Sequence, residues 1–173
     1  MFIIFTGCDR SGKTTLARAY YNYQLKRNNN IEYIHFIAPK TQSEAKEKYF
    51  NFINTANLNK LYILDRFYES EYVYAPIYRN YHIDYLEEIE QLLSQKQKAL
   101  FIYVRTPLQV IQNRLEHIGD DYINIKDINI ICSNYEQFFD MTLIPFITIN
   151  GDYPLNNQLQ ILERIDSDIN LFS

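Results

Sequence analysis

The order of elements predicts an α/β chain, a parallel sheet held between helices in three layers. Three observations carry this. Short apolar runs alternate with helically patterned segments along the whole chain. The leading run is continuously apolar, as in strands buried on both faces. The length of 173 residues, 47 % of them apolar, suits the core of one domain. No stretch reads as a linker or a repeat, so a single domain over 1–173 is expected.

Met1 to Phe5 reads as the first strand and Lys13 to Arg27 as a helix, with Lys26 and Arg27 placed for its dipole and Asn28-Asn29-Asn30 ending it. Ile31 to Phe36 is a strand, Gln42 to Asn54 a helix, and Leu61 to Leu64 a strand ending at Asp65-Arg66. Asp84 to Lys96 carries Leu86, Ile89 and Leu93 on one face, with Asp84 and Glu87 spaced as a capping box. Ala99 to Val104 is the fourth strand. Thr106, Pro107 and Gln109 then open a helix with Leu108, Ile111, Leu115 and Ile118 in register. Ile128, Ile131, Tyr135 and Phe138 mark another helix, which Pro145 ends. Phe146 to Asn150 is the fifth strand, and Leu155 to Ile169 the last helix. Most of the 16 tyrosines read as half-buried packing residues.

Composition excludes several classes. The net charge of −4 argues against a protein whose main partner is polynucleotide phosphate, leaving only weak or local contact open. No apolar run approaches the ~20 residues that cross a bilayer. The start lacks the charged and long apolar regions of a signal peptide. Cys8 and Cys132 make neither a disulfide framework nor a zinc spacing. The chain therefore reads as cytosolic. His35, His82 and His117 have no metal-ligand spacing and read as surface or core residues.

Glycine is scarce, four residues where average usage of roughly 7 % gives about a dozen. Two of the four stand in Gly7-Cys8-Asp9-Arg10-Ser11-Gly12-Lys13-Thr14, a match to G-x-x-x-x-G-K-[ST] between a strand and a helix. A chance match in this length is on the order of one in a hundred. Successive backbone N–H groups of such a loop point at phosphate oxygens, and the helix N-terminus adds its positive end. Lys13 would reach the β- and γ-phosphates, and the Thr14 hydroxyl would ligate Mg²⁺. The fold expected is thus a P-loop NTPase, α/β/α, with a five-stranded parallel sheet. Arg10, inside the loop, could neutralise charge on the transferring phosphoryl group. Cys8 beside it reads as incidental.

Gly7 to Thr15 resembles the phosphate loop of the thymidylate kinases, particularly the subgroup with an arginine in the loop. Asp65-Arg66-Phe67, with Ser70 and Tyr74 following, resembles that family's Asp-Arg-Tyr/His segment, and Pro39-Lys40 resembles its Phe-Pro-x-Arg turn imperfectly. Small phage-type members are similar over Asp65 to Arg79. The resemblance implies ATP and Mg²⁺, with Asp9, Arg10, Ser11, Lys13, Thr14 and Thr15 around the donor phosphates. It implies that Asp65 organises Mg²⁺ or the acceptor, Arg66 binds the acceptor phosphate together with Lys40 and Ser70, and Tyr74 favours deoxyribose. Arg114 resembles the arginine beside the donor nucleotide, whereas the second arginine is replaced by His117 or Ile118, in agreement with Arg10 supplying that charge. A short lid over about 117–127 is implied, with Gly119 either its hinge or a plain helix stop, and Gly151 either beside adenine or a turn. Similar kinases are commonly homodimers.

The function expected is transfer of the γ-phosphoryl group of ATP to a deoxynucleoside monophosphate, first of all dTMP. Strand two shows no acid after Glu32, where deoxynucleoside kinases carry a base, which favours an acceptor that is already an oxyanion. The alternatives are a P-loop kinase acting on a hydroxyl of a deoxynucleoside or modified base in DNA, with Asp65 as base, and a non-catalytic nucleotide switch. Tyr49, Phe50 and Phe52 are candidates to stack on the acceptor base, and Arg79 to hydrogen-bond to it.

Overall fold

The computed structural model describes residues 1–118 and 124–169, with side chains at 118 and 167–169 left aside. Five strands, β1 (Phe2–Thr6), β2 (Ile31–His35), β3 (Leu61–Asp65), β4 (Ala99–Arg105) and β5 (Phe146–Asn150), form one sheet. Their order is β2-β3-β1-β4-β5 and every pair is parallel. All five residues of β1 are buried, because it is the central strand and is covered on both faces.

Strand periodicity sorts the core into two layers. Ile3 and Phe5 face Leu16, Ala17 and Leu162, from α1 (Lys13–Leu25) and α7 (Leu155–Ile169). Phe2 and Ile4 face the other cluster, built from α2 (Gln42–Thr55), α3 (Tyr68–Tyr78), α4 (Leu86–Lys96), α5 (Leu108–Ile118) and α6 (Ile128–Met141). That second layer is unusually aromatic. Phe67 lies within 6.3 Å, centroid to centroid, of Phe2, Phe36, Tyr49, Phe52 and Tyr68. Such pairs add about 0.5–1.5 kcal/mol each beyond their burial.

Several expectations need correction. Tyr49, Tyr68, Tyr85 and Tyr135 are fully buried rather than half-buried. Helix α3 has no amphipathic stripe to reveal it, since Tyr68 to Glu71 and Val73 to Ala75 are all buried, and Pro76 lies inside it. The expected capping box at Asp84 does not form; α4 begins at Leu86, with Tyr85 at its N-cap and no side-chain cap bond. The α1 helix stops at Leu25, and Arg27 lies over the Tyr23 ring instead of in a last helical turn. At α2 the cap is Thr41, whose hydroxyl accepts from the Glu44 N–H at 3.2 Å. No helix among the described residues is long and apolar enough to cross a membrane.

Because the strands are parallel, their carboxyl ends share one edge. This brings Thr6, Asp65 and Arg105 to the same side of the molecule, the side where sheets of this kind bind ligands.

Candidate active site

The phosphate loop leaves β1 at Gly7. Its φ is +142°, and a Cβ there would stand 2.5 Å from the Val104 carbonyl oxygen of β4, so only glycine permits the turn against the neighbouring strand. Arg10 also adopts a left-handed φ, +62°, and Gly12 forms the N-cap of α1. The Ser11 N–H donates to the Cys8 carbonyl at 3.1 Å, closing the loop. Lys13, 4 % exposed, turns back over it and donates to the Cys8 carbonyl and to Asp9 Oδ1, each at 3.3 Å. Thr14 and Thr15 follow on the first turn of α1, Thr14 half-buried and Thr15 exposed.

Asp65 ends β3 with no exposed surface. Its Oδ2 accepts from the Tyr33 hydroxyl at 2.8 Å and contacts His35 Nδ1 at 2.9 Å. Its Oδ1 is buried with no hydrogen-bond partner among the described residues. His35 is a surface residue, as the sequence suggests, and its ring rests on Asp65. Period two puts Tyr33 and His35 on one face of β2, and the parallel register sets His35 opposite Asp65. That pairing lies outside what a single strand's sequence contains.

Arg66 follows with φ +70° and forms an ion pair with Asp9, its guanidinium 5.5 Å above the Tyr74 ring. Burial works against the Asp9 carboxylate, but Lys13 and Arg66 outweigh it and hold its pKa down to about 2. Burial lowers Lys13, and the nearby Arg66 charge adds to that. Glu69 behaves oppositely. Its Oε1 accepts from the Phe67 N–H at 3.0 Å and the Ser70 hydroxyl at 3.2 Å, so it pins the turn that carries Arg66. Burial with only neutral donors nearby pushes it up to about 7.

Arg114 reaches from α5 to the loop, donating to the carbonyls of Arg10 at 2.9 Å and Gly151 at 3.1 Å. Gly151 is here by close approach. A Cβ would lie 2.0 Å from Thr106 Oγ1 and 2.5 Å from the Ser11 carbonyl oxygen. Thr106 itself donates to that Ser11 carbonyl at 3.0 Å, holding the loop from β4. A cleft of about 540 Å³ joins Asp9, Lys13, Thr14, Arg66, Arg114 and Tyr153. A larger cavity, about 680 Å³, lies between β4, β5 and α6 and carries neither Lys13 nor Arg66.

Not every candidate gathers there. Lys40 is exposed, its backbone N–H bonded to Glu44 Oε2, and it does not line the cleft. Arg79 is held by Glu71 at 2.9 Å, with Tyr81 on the other carboxylate oxygen. Tyr49 is a core residue, 1 % exposed. Ser70 and Tyr74 are buried beneath Arg66 and Glu69 rather than on the cleft wall. Of the lid expected over about 117–127, residues 119–123 lie outside the described ones; Ile125–Asp127 forms a short 3₁₀ turn capped by Asn124. Sequence reasoning did not single out Tyr33, Glu69, Tyr153 or Gln158, which carry no motif.

No protein-family model matches the chain. A relative, the SPbeta prophage-derived uncharacterized protein YorR of Bacillus subtilis strain 168, is 31 % identical over 138 residues, 78 % of this chain and 79 % of that one. The crystal structure of B. subtilis YorR in complex with phosphorylated GDP matches with a TM-score of 0.76 and 25 % identity over 96 % of each chain. Deoxyadenosine kinase from M. mycoides with bound dATP shares the fold, with a TM-score of 0.64 at 19 % identity, over 96 % of this chain and 100 % of that one.

Proposed function

This chain belongs to the family of the prophage protein YorR, and from that premise we propose that it moves the γ-phosphoryl group of ATP onto a deoxynucleoside monophosphate. One observation carries the reading. Arg66 is locked by Asp9 against the same loop that Lys13 covers, so two cations converge on one carboxylate oxygen at the wall of one cleft. A donor polyphosphate on the loop and an acceptor phosphate on Arg66 would then face each other across Lys13.

The loop N–H groups and the start of α1 would cradle the β- and γ-phosphates, while Lys13 neutralises charge that grows in the transition state. Arg114, fixed on two carbonyls, would stand beside the donor nucleotide. Arg66 would hold the acceptor phosphate through its planar fork, braced by the Tyr74 ring beneath it. An acceptor oxyanion needs no base, and the Asp65 carboxylate is ill placed to be one, because it is fully buried and two donors crowd one of its oxygens.

The residues fit a Mg²⁺ ion. The unpartnered Asp65 Oδ1 and the Thr14 hydroxyl would be its protein contacts. Mg²⁺ would complete its sphere with nucleotide phosphates and water rather than an all-protein cage. When bound, the ion would supply charge neutralisation to the β- and γ-phosphates.

For the acceptor, dTMP is the first to test, and dGMP joins the panel because the YorR crystal contains phosphorylated GDP. A second reading, a hydroxyl acceptor, has one specific support. His35, with 47 % of its side chain exposed and Asp65 behind its ring, has the build of a base. A coupled ADP-release assay across deoxynucleosides and their monophosphates decides. Turnover on monophosphates is expected. Activity on nucleosides alone would overturn the monophosphate reading, and no turnover on any acceptor would favour a nucleotide-binding switch.

A further inference from the structure

Two thiols far apart in sequence meet at the phosphate loop. Cys8 Sγ and Cys132 Sγ are 2.9 Å apart, joining the second residue of the loop to α6, across 124 positions. The distance exceeds a disulfide bond by only about 0.9 Å. Both cysteines are reduced. Their surroundings differ in a way that suits stepwise oxidation. Cys8 is buried, 3 % exposed, whereas Cys132 is half-buried, and both line the cavity of about 680 Å³ between β4, β5 and α6. An oxidant the size of a peroxide can therefore reach Cys132 through that cavity while Cys8 waits behind it.

We infer that Cys8 and Cys132 form a redox-active dithiol, closed to a disulfide by hydrogen peroxide, which ties the phosphate loop to α6 and weakens nucleotide binding. The contact between the two thiols lowers the Cys132 pKa, while that same contact and burial raise Cys8. Cys132, the more exposed and the more acidic of the two, attacks first as its thiolate. Its sulfur bonds to one peroxide oxygen, the O–O bond breaks, and the departing hydroxide takes a proton to become water. The Cys8 sulfur then attacks the Cys132 sulfenic acid; the S–S bond forms, the S–O bond breaks, and the hydroxyl leaves as water with the Cys8 proton. The two thiols lose two electrons in total and the peroxide is reduced to two waters.

The loop feels this closure directly. The Cys8 carbonyl accepts from both Ser11 N–H and Lys13 Nζ, so a shift of Cys8 toward α6 disturbs the two contacts that shape the phosphate cradle. Displacements near 1 Å in such sites cost on the order of tenfold to a hundredfold.

The test treats the full chain with hydrogen peroxide, then follows free thiols, the peptide map without reductant, and ATP affinity by calorimetry. Expected are loss of both thiols with a Cys8–Cys132 crosslink, and ATP affinity lower by about tenfold. Dithiothreitol should reverse both effects, and Cys132→Ser should keep the reduced protein's affinity after peroxide. The thiol readout is independent of any turnover, so its failure is distinguishable from failure of the kinase reading. Thiols that persist in folded protein, oxidation to separate sulfinic acids, or a crosslink that leaves ATP binding unchanged would each overturn the inference. Should Cys132→Ser fold poorly, Cys132→Ala serves in its place.

Discussion

Two carboxylates near the cleft, the half-buried Asp9 and the fully buried Glu69, have opposite fates. Asp9, on the phosphate loop, lies against Lys13 and Arg66 and is held at a pKa of about 2. Glu69, beneath the turn that carries Arg66, has backbone and hydroxyl donors but no cation against it among the described residues, and rises to about 7. The difference is one of charge partners rather than depth, since burial pushes both upward. On the proposed function, the donor side is built from compensated charge, and the acceptor side from a neutral hydrogen-bonded turn that holds a single arginine in place. The donor side should therefore tolerate pH and fail on loss of charge, while the acceptor side should respond to both.

The largest effect is expected from Lys13→Met. Loss of the ammonium from the loop should cut turnover by about 10³-fold in the ADP-release assay. A variant that retains a tenth of normal activity would break the idea that the donor side works by charge.

Next comes pH acting through Glu69. Its folded pKa is raised above the ordinary 4.5, so the folded state holds the proton longer than the unfolded chain does. The stability this contributes is whole below about pH 4.5 and is lost as pH rises through about 7, a change of about 3 kcal/mol. Urea unfolding at pH 5 and pH 8 measures it. Glu69→Gln should flatten that dependence, and equal slopes in both proteins would remove Glu69 as the cause. Asp9 works in the other direction. Its contribution is present above about pH 4 and falls away only toward pH 2, so it adds no slope between pH 5 and pH 8.

Arg66→Ala should weaken acceptor binding by about a hundredfold while ATP affinity changes about threefold or less. Comparable losses in both titrations would erase the distinction between the two sides. Gly151→Ala should destabilise the fold by about 1–3 kcal/mol, because the new methyl meets the Ser11 carbonyl as well as the Thr106 side chain. The smallest effect is expected at Lys40. Lys40→Ala should leave stability within about 0.5 kcal/mol and acceptor affinity nearly unchanged. A tenfold rise in acceptor KM would mean that the Pro39-Lys40 turn closes over the acceptor.

The two sides were also unequally legible. The donor loop is written in nine consecutive residues, Gly7 to Thr15, because a phosphate cradle made of backbone N–H groups demands glycine and a helix start at fixed spacing. Strands and amphipathic helices were equally plain, since periodicity is a local property. Helix α3 left no such trace, being buried on several sides and carrying Pro76 within it. The Thr106 hydroxyl illustrates a different loss. Its proton goes to the Ser11 carbonyl of a distant loop, a contact that no spacing along the chain announces.

By itself, then, the sequence determined the layered α/β architecture and the phosphate loop, both of which follow from spacing along the chain. Only tertiary structure decided that His35 and Tyr33 hold Asp65, that Arg66 is locked to Asp9, that Lys40 stands apart, and that Cys8 meets Cys132. Each of those depends on the order β2-β3-β1-β4-β5 and on how the helices pack over it. Parallel strands bring distant residues into register through crossovers, and no local pattern encodes which residue arrives opposite which.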